Sequence, residues 1–421
     1  MKDTQKIYIP SLDAVKAAAQ TIAEVADPTP LGLSRRLSRE TEAQVWLKRE
    51  DLQRVRSYKI RGAFNKISSL NEEQLSKGVV CASAGNHAQG VAFACNHLQI
   101  QGQIYMPTPT PRQKVEQTQL FGGEFVEVIL IGDTYDDAAK AAHEACEKEG
   151  KTFVHPFNDP KTIEGQGTIG LELLEQAETP IDFVFVPVGG GGLAAGLSSV
   201  FKSLSPETKI IGVEPAGAPS MKMSLRRGEV VQLGSIDKFI DGAAVQKVGE
   251  LTHAICQQNL HEMLTVPEGK VCQTILDLYN RDAIVVEPAG ALTIAALDYY
   301  KEQIKGKHVV CIVSGSNNDI ARMAEIKERA LLYGKLKHYF LIRFPQRPGA
   351  LREFLTDILG PDDDIAHFEY SKKNSKENAP AVVGIELKRP EDLEPLIQRM
   401  KAQNFFGAYL NDEPDLFQYL I

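Results

Sequence analysis

No Cys-x-x-Cys pair occurs among the six cysteines, Cys81, Cys95, Cys146, Cys256, Cys272 and Cys311, and each lies in an apolar or helical stretch. That placement belongs to small buried hydrophobes in a reducing compartment, and it argues against a disulfide framework or a zinc site. Positive charge is also short: 47 basic against 55 acidic side chains give a formal net charge of −8. With no basic patch interleaved with aromatics, a nucleic-acid role is disfavoured. The opening Met1-Lys2-Asp3-Thr4-Gln5-Lys6 has no apolar signal core, so we expect no secretory signal and a cytoplasmic protein. No apolar run is built to cross a membrane. The most apolar window, Ile181 to Phe201, holds five glycines and a proline and reads as strand, loop and helix. Internal repeats and low-complexity tracts are absent.

What is present is an ordinary soluble composition, 43% hydrophobic and 24% charged over 421 residues. That length predicts two or three domains with a large core. Apolar, β-branched runs recur at Val79–Ala82, Gln103–Met106, Phe125–Ile131, Asp182–Val188, Lys209–Val213, Ala283–Val286 and His308–Val313. Each is followed by a turn and a helical pattern, which predicts an α/β fold with parallel sheets covered on both faces. Ala88, Val91, Ala92 and Cys95 fall at i, i+3, i+4, i+7 and predict one buried helix face. Near Tyr333 the pattern changes. Strands at His338–Phe344, Ile365–Lys372, Ala381–Lys388 and near Ala408–Leu410, with helices at Gly349–Leu359 and Glu391–Ala402, give a βαββαβ order. That order is ferredoxin-like and occupies about 85 residues. The expected domains are 1–324, with a smaller lobe at about 53–153, a linker helix at 325–335, and 336–421.

Four constellations, and a fifth segment like the last of them, are placed to carry chemistry. In Ser57-Tyr58-Lys59-Ile60-Arg61-Gly62-Ala63, Lys59 either lies on a solvated helix face or is tucked against Tyr58 and Ile60. Desolvation in the second case lowers the amine's pKa and makes it a nucleophile. In Ser83-Ala84-Gly85-Asn86-His87, a strand end opens a helix whose free N–H groups favour an anion such as a carboxylate; plain N-capping by Asn86 is the alternative. Gly189-Gly190-Gly191-Gly192-Leu193 follows the strand at 182–188 and opens a helix, a context that cradles a phosphate. Its spacing, Gly190-x-Gly192-x-x-Ala195 with Glu214 ending the next strand, also satisfies the dinucleotide pattern of an NAD-dependent oxidoreductase. No Gly-Lys-Ser/Thr closes the loop, which excludes a nucleotide triphosphatase. Ser314-Gly315-Ser316-Asn317-Asn318 and Glu287-Pro288-Ala289-Gly290-Ala291 are further strand ends with polar groups, where open α/β sheets bind ligands.

The order of these motifs resembles the pyridoxal-phosphate enzymes of the tryptophan-synthase-β type (fold type II), and within them the biosynthetic threonine dehydratases, or threonine ammonia-lyases. The resemblance runs through the whole chain. It includes Leu47-Lys48-Arg49-Glu50-Asp51-Leu52-Gln53 and, in the tail, Pro345-Gln346-Arg347-Pro348-Gly349-Ala350-Leu351, which looks like the opening of an ACT-like regulatory domain. The resemblance implies that Lys59 forms the aldimine with pyridoxal phosphate and that Asn86 contacts its 3′-oxygen. It further implies that Gly189, Gly190, Gly191, Gly192 and Leu193 hold the phosphate, and that Ser314 faces the pyridine nitrogen. Ser83, Ala84, Gly85, Asn86 and His87 would take the substrate carboxylate. A hydroxyl at the ring nitrogen makes a weaker electron sink, favouring prompt loss of a β-substituent.

The implied reaction takes L-threonine to 2-oxobutanoate and ammonia by β-elimination of water and release of 2-aminocrotonate. Lys59 would act as the general base. This would be the first committed step of isoleucine biosynthesis, in a homotetramer answering to isoleucine and valine as effectors. L-Serine is a second substrate to weigh. Tyr58 stands where the family has phenylalanine. Ala84 stands where related serine racemases have a second acid/base serine, which disfavours racemisation. Ser220 stands where a metal-binding carboxylate would be expected near Glu214, so no metal is expected. The oxidoreductase and a non-catalytic amino-acid sensor remain as rivals.

Overall fold

The structure is a computed structural model and describes residues 8–370 and 378–413; Met1–Lys6 and the last two residues of the strand expected at Ile365–Lys372 lie outside them. The chain divides into two compact units, Met1–Ile320 and Ala321–Ile421.

After a first helix, Leu12–Ile22, the first unit has β1 (Leu31–Leu33) and β2 (Gln44–Arg49), then forms a lobe from β3 (Val79–Ala82), β4 (Gly102–Met106), β5 (Val126–Leu130) and β6 (Thr152–Phe153). It returns with β7 (Phe183–Pro187), β8 (Lys209–Pro215), β9 (Glu262–Val266) and β10 (His308–Val313). The larger sheet has the order β1-β2-β10-β7-β8-β9 and the smaller β5-β4-β3-β6. All pairings are parallel except β1 with β2. β3 and β7 are buried at every position, as strands covered by helices on both faces must be. Ala88, Val91, Ala92 and Cys95 are all fully buried on the helix Asn86–Leu98.

One expected strand is absent. Ala283–Val286 is apolar, but Ala283 takes a left-handed φ of 54° and the Ile284 amide donates to the Leu278 carbonyl, ending the helix Glu268–Asp282. Four residues spent on closing one helix and opening the next, Pro288–Ala295, leave no backbone for a ladder. The sheet edge falls instead to β9.

Close backbone contacts fix the helices that carry the site. A Cβ on Gly165 would lie 2.6 Å from the Arg61 carbonyl, so the helices Lys59–Ser68 and Pro160–Gln176 touch there. The latter meets Gly192–Leu204 in the same way, a Cβ on Gly196 falling 2.7 Å from the Gly167 nitrogen. A buried ionic network locks the first contact. The Arg61 guanidinium donates to both Glu50 oxygens at 2.8 and 2.9 Å and to Glu172 at 2.5 and 3.0 Å. Lys48 donates to Glu172 at 2.6 Å and to the Thr29 carbonyl at 2.7 Å. Both cations are fully buried, and charges are tolerated there only because each is paired and hydrogen-bonded.

The second unit opens with the helix Met323–Tyr333 and follows with β11 (Lys337–Pro345), a helical segment from Ala350 to Ile358, β12 (Asp364–Tyr370), β13 (Asn378–Glu386), the helix Leu393–Ala402 and β14 (Phe406–Tyr409). Its antiparallel sheet has the order β12-β13-β11-β14. This is the expected ferredoxin-like fold, with an apolar core that includes Phe340, Phe344, Phe354, Leu396, Met400 and Phe405. Among the described residues, no helix is long and apolar enough to cross a membrane.

Candidate active site

A cavity of about 870 Å³ opens at the carboxyl ends of β3, β7 and β10, between the smaller lobe and the larger sheet. Parallel α/β sheets place their ligands there, because the loops that follow the strands converge at that end. Tyr58, Lys59, Ser83, Ala84, Gly85, Asn86, His87, Gly189, Gly190 and Ser314 all line it. Gly191, Gly192 and Leu193 lie behind this surface at the start of their helix, with the Leu193 side chain in the core.

Lys59 begins its helix and is tied to the Ser314 strand end: the Tyr58 amide donates to the Ser314 carbonyl at 3.3 Å, and Ser57 bridges to Gly315. Its Nζ donates to the Pro156 carbonyl at 3.1 Å and lies 5.4 Å from the centre of the Tyr58 ring. Burial pushes the amine down to about 8, against the opposing pull of Glu287. Lys59 is therefore a tucked, readily neutralised amine and not a solvated cation.

The glycine run explains itself through what surrounds it. Gly191 adopts φ 93°, where other residues are strained, and a Cβ on Gly190 would collide with the Phe157 ring. Among the described residues, no protein acceptor takes the amide hydrogens of Gly189, Gly190 or Gly191. Those of Gly192, Leu193 and Ala194 belong to the first helical turn and have no intrahelical partner. Six free donors at a helix N-terminus suit a phosphate.

At the helix Asn86–Leu98, Gly85 occupies the cap position and makes no side-chain cap, so Asn86 is released from capping. Its Nδ2 donates to Glu287 Oε1 at 2.6 Å, and its Oδ1 is buried without a partner. The His87 ring contacts the Val154 carbonyl at 2.8 Å, and burial pushes it down to about 3. It stays neutral. The loop can therefore offer an anion only helix-start amides and the Ser83 hydroxyl, not a histidine charge.

Several site residues gave no sequence signal. Pro156 and Phe157 follow β6, a strand of two residues. His155 accepts from the Phe157 and Asn158 amides at 3.2 and 2.8 Å and so shapes that turn. Lys114 on the smaller lobe pairs with Asp241 of the larger one beside the cavity. Glu287 was expected as a strand-end carboxylate, but with that strand absent it stands at the cap of the helix Pro288–Ala295, and its reach to Asn86 carried no sequence signal.

The dinucleotide reading fails at Glu214. That carboxyl is fully buried and accepts the Met221 and Lys222 amides at 2.6 and 2.9 Å, capping the helix Ser220–Arg227. It has no access to a ribose. Ser220 donates to the Val245 carbonyl, and among the described residues no cluster of three or more His, Cys, Asp or Glu is arranged to hold a metal.

Comparison with known proteins agrees with this geometry. Residues 22–315 match the family model of pyridoxal-phosphate dependent enzymes, and residues 328–420 match the C-terminal regulatory domain of threonine dehydratase. The biosynthetic L-threonine dehydratase IlvA of Halalkalibacterium halodurans is 56% identical over 410 residues, covering 97% of this chain and 99% of that one. The Bacillus subtilis protein of the same name is 56% identical over 404 residues, covering 96% of each. Among solved structures, threonine deaminase isoform 2 from Solanum lycopersicum superposes with TM-score 0.71 at 43% identity, over 77% of this chain and 96% of that one. Maize serine racemase gives 0.72 at 31% identity, over 77% and 99%.

Proposed function

The chain belongs to the pyridoxal-phosphate-dependent enzymes that carry the threonine dehydratase regulatory domain, and from that premise we propose a site-by-site reading of how it converts L-threonine to 2-oxobutanoate and ammonia. The observation that carries the reading is a desolvated lysine in the same cavity as Gly189 and Gly190, which lead into a helix whose first-turn amides are free.

The residues present fit the cofactor. In this reading the free amides from Gly189 to Ala194 would hold its phosphate, Asn86 its 3′-oxygen and the Ser314 hydroxyl its ring nitrogen, roles supported by the unpartnered amides and by Asn86 and Ser314 lining the cavity. When bound, pyridoxal phosphate supplies an aldehyde carbon for an amine and a ring that accepts electron density from the substrate's Cα. Lys59 would hold the cofactor's aldehyde carbon, and its neutral amine would take the substrate's Cα proton at Nζ. The amides that begin the helix Asn86–Leu98, with Ser83, orient the substrate carboxylate. Ala84 lines the cavity but brings no titratable group, so the loop supplies no second base there. Phe157 and the Gly189–Gly190 backbone form one wall of the cavity. Loss of the β-hydroxyl as water, the proton it gains balancing the one that Nζ takes from Cα, would leave 2-aminocrotonate, which hydrolyses to the keto acid and ammonia without help from the protein.

The catalytic domain in this reading is 1–324, with the smaller lobe at about 53–153, joined by 325–335 to the regulatory domain 336–421. The protein is a cytoplasmic homotetramer in isoleucine biosynthesis, taking isoleucine and valine as effectors through its single ACT-like domain, and accepting L-serine as a poorer substrate. The test is purification with pyridoxal phosphate followed by borohydride reduction and peptide mapping. A yellow protein that bleaches with the label on Lys59, and that releases keto acid faster from threonine than from serine, is expected. A label on another lysine would overturn the assignment.

A further inference from the structure

Glu287 stands at the cap position of the helix Pro288–Ala295, where a carboxylate ordinarily accepts from its own helix. It makes no such bond. Instead it crosses from the larger sheet to the smaller lobe and accepts from Asn86 Nδ2 at 2.6 Å. Two glycines keep room for it: a Cβ on Gly315 would lie 2.6 Å from Glu287 Oε1, and one on Gly242 3.3 Å away. Its backbone is pinned as well, donating to the Gly315 carbonyl at 3.1 Å and accepting from Gly290 at 2.9 Å. The partner Asn86 has one amide hydrogen so engaged and a buried Oδ1 with no donor.

A side-chain amide has two orientations related by a 180° turn, and an acceptor-only carboxylate tolerates one of them. Turned over, Asn86 would set Oδ1 against the carboxylate oxygen. We propose that Glu287 is a positioning residue, its carboxylate holding the Asn86 amide so that the second Nδ2 hydrogen is kept for the cofactor's 3′-oxygen. This rests on the assignment of Asn86 given above. The charged and titratable groups facing Glu287 are Asp241 and Lys114, which pair with each other, and Lys59 and Tyr58 across the cavity. Burial and Asp241 push the carboxyl up to about 7, against hydrogen bonds from Asn86 and the Asn317 amide and the charge of Lys114. Around neutrality it therefore gains a proton. As an acid it can donate to Oδ1, and the orientation of the amide is no longer enforced.

The experiment is a double-mutant cycle on cofactor affinity, read from visible absorbance as pyridoxal phosphate is titrated into the apo-chain. Glu287→Ala should weaken affinity by about 10-fold or more, as expected for a lost hydrogen bond to a charged group. In an Asn86→Ala background the same change should cost less than about 2-fold, since the group it acts through is gone. Glu287→Gln is neutral at every pH and, like the protonated acid, carries a donor as well as an acceptor. It should bind the cofactor at every pH as weakly as the parent does below pH 7 and lose the parent's gain above neutrality, a signature available even if the alanine variant fails to fold. Equal losses from Glu287→Ala in both backgrounds, or an unaltered pH profile in Glu287→Gln, would overturn the proposal alone. Unchanged affinity in Asn86→Ala by itself would instead remove the assignment of Asn86, and this proposal with it.

Discussion

The two units differ most in what they bury. The unit ending at Ile320 encloses Lys48, Arg61, Glu50, Glu214 and Glu287, with Lys59 half-buried beside them, whereas the described part of the second unit buries Lys337 and His338 and otherwise an aromatic and aliphatic core. Buried charge costs stability unless it is paired, and it shifts proton affinities where it is not. One unit thus holds reactive groups at altered protonation, while the other is built as an ordinary stable scaffold. Lesions in the first should therefore change chemistry, and lesions in the second should change response.

The largest effect should come from Lys59→Ala. Removing the base should cost at least about 10²- to 10⁴-fold in threonine dehydration while leaving cofactor affinity measurable through the phosphate amides. Steady-state keto-acid release checks it, and substantial turnover would break the contrast at once. Next in size is Arg61→Met, which strands Glu50 and Glu172 beside Lys48. Breaking a buried pair in this way should lower stability by about 3–5 kcal/mol, read as a denaturation midpoint of the catalytic unit. A shift under 1 kcal/mol would mean that the carboxylates relax to water and the network is ornamental.

What sequence reading captures and misses follows the same division. β3, β4, β5, β7, β8 and β10 were legible because each is a mostly apolar run bounded by turn residues, and the βαββαβ tail because its alternation is local. β2 escaped notice because Lys48 and Arg49 break its apolar pattern. Lys48 is satisfied by Glu172, 124 positions away, and local periodicity carries no trace of such a partner. β9 is half-exposed and was lost for a related reason. In the site, the glycine run is legible from spacing, since the loop's chemistry lies in its own backbone. The state of Lys59 is not, because the Pro156 carbonyl and the Glu287 carboxylate reach it from distant segments.

A smaller effect lies in the pH dependence of reconstitution. An imine forms from the neutral amine, so below the pKa the rate of cofactor capture falls about tenfold per pH unit. With Lys59 held near 8 by burial, the rate should climb up to about pH 8 and then level off. An amine at its ordinary value of 10.5 would keep climbing well beyond. Absorbance-monitored reconstitution between pH 6 and 10 decides between them, and a continued rise past pH 9 would return Lys59 to the solvated class. Smaller again is Ser314→Asp. A carboxylate at the ring nitrogen stabilises its protonated form and prolongs the carbanion, so elimination should slow by roughly tenfold while binding is kept. An unchanged rate would refute that electronic argument.

The smallest effect on turnover, and the sharpest test of the comparison, is removal of the second unit. The cut belongs after Ile320, ahead of the linker helix. The helix Met323–Tyr333 buries Ile326 and Ala330, and Glu328 on it accepts from Lys337 and from the Tyr339 hydroxyl at 2.5 and 2.7 Å. Left behind, that helix would expose an apolar stripe and an orphaned carboxylate, and aggregation would be mistaken for a catalytic role. With a clean cut, threonine turnover should stay within about 2-fold, because every cavity-lining residue precedes Ile320. Any isoleucine response, whose coupling is typically about 5- to 150-fold, should vanish. Inhibition by isoleucine that survives the cut would place the effector site among the buried charges of the first unit, and the division of labour between the units would fail.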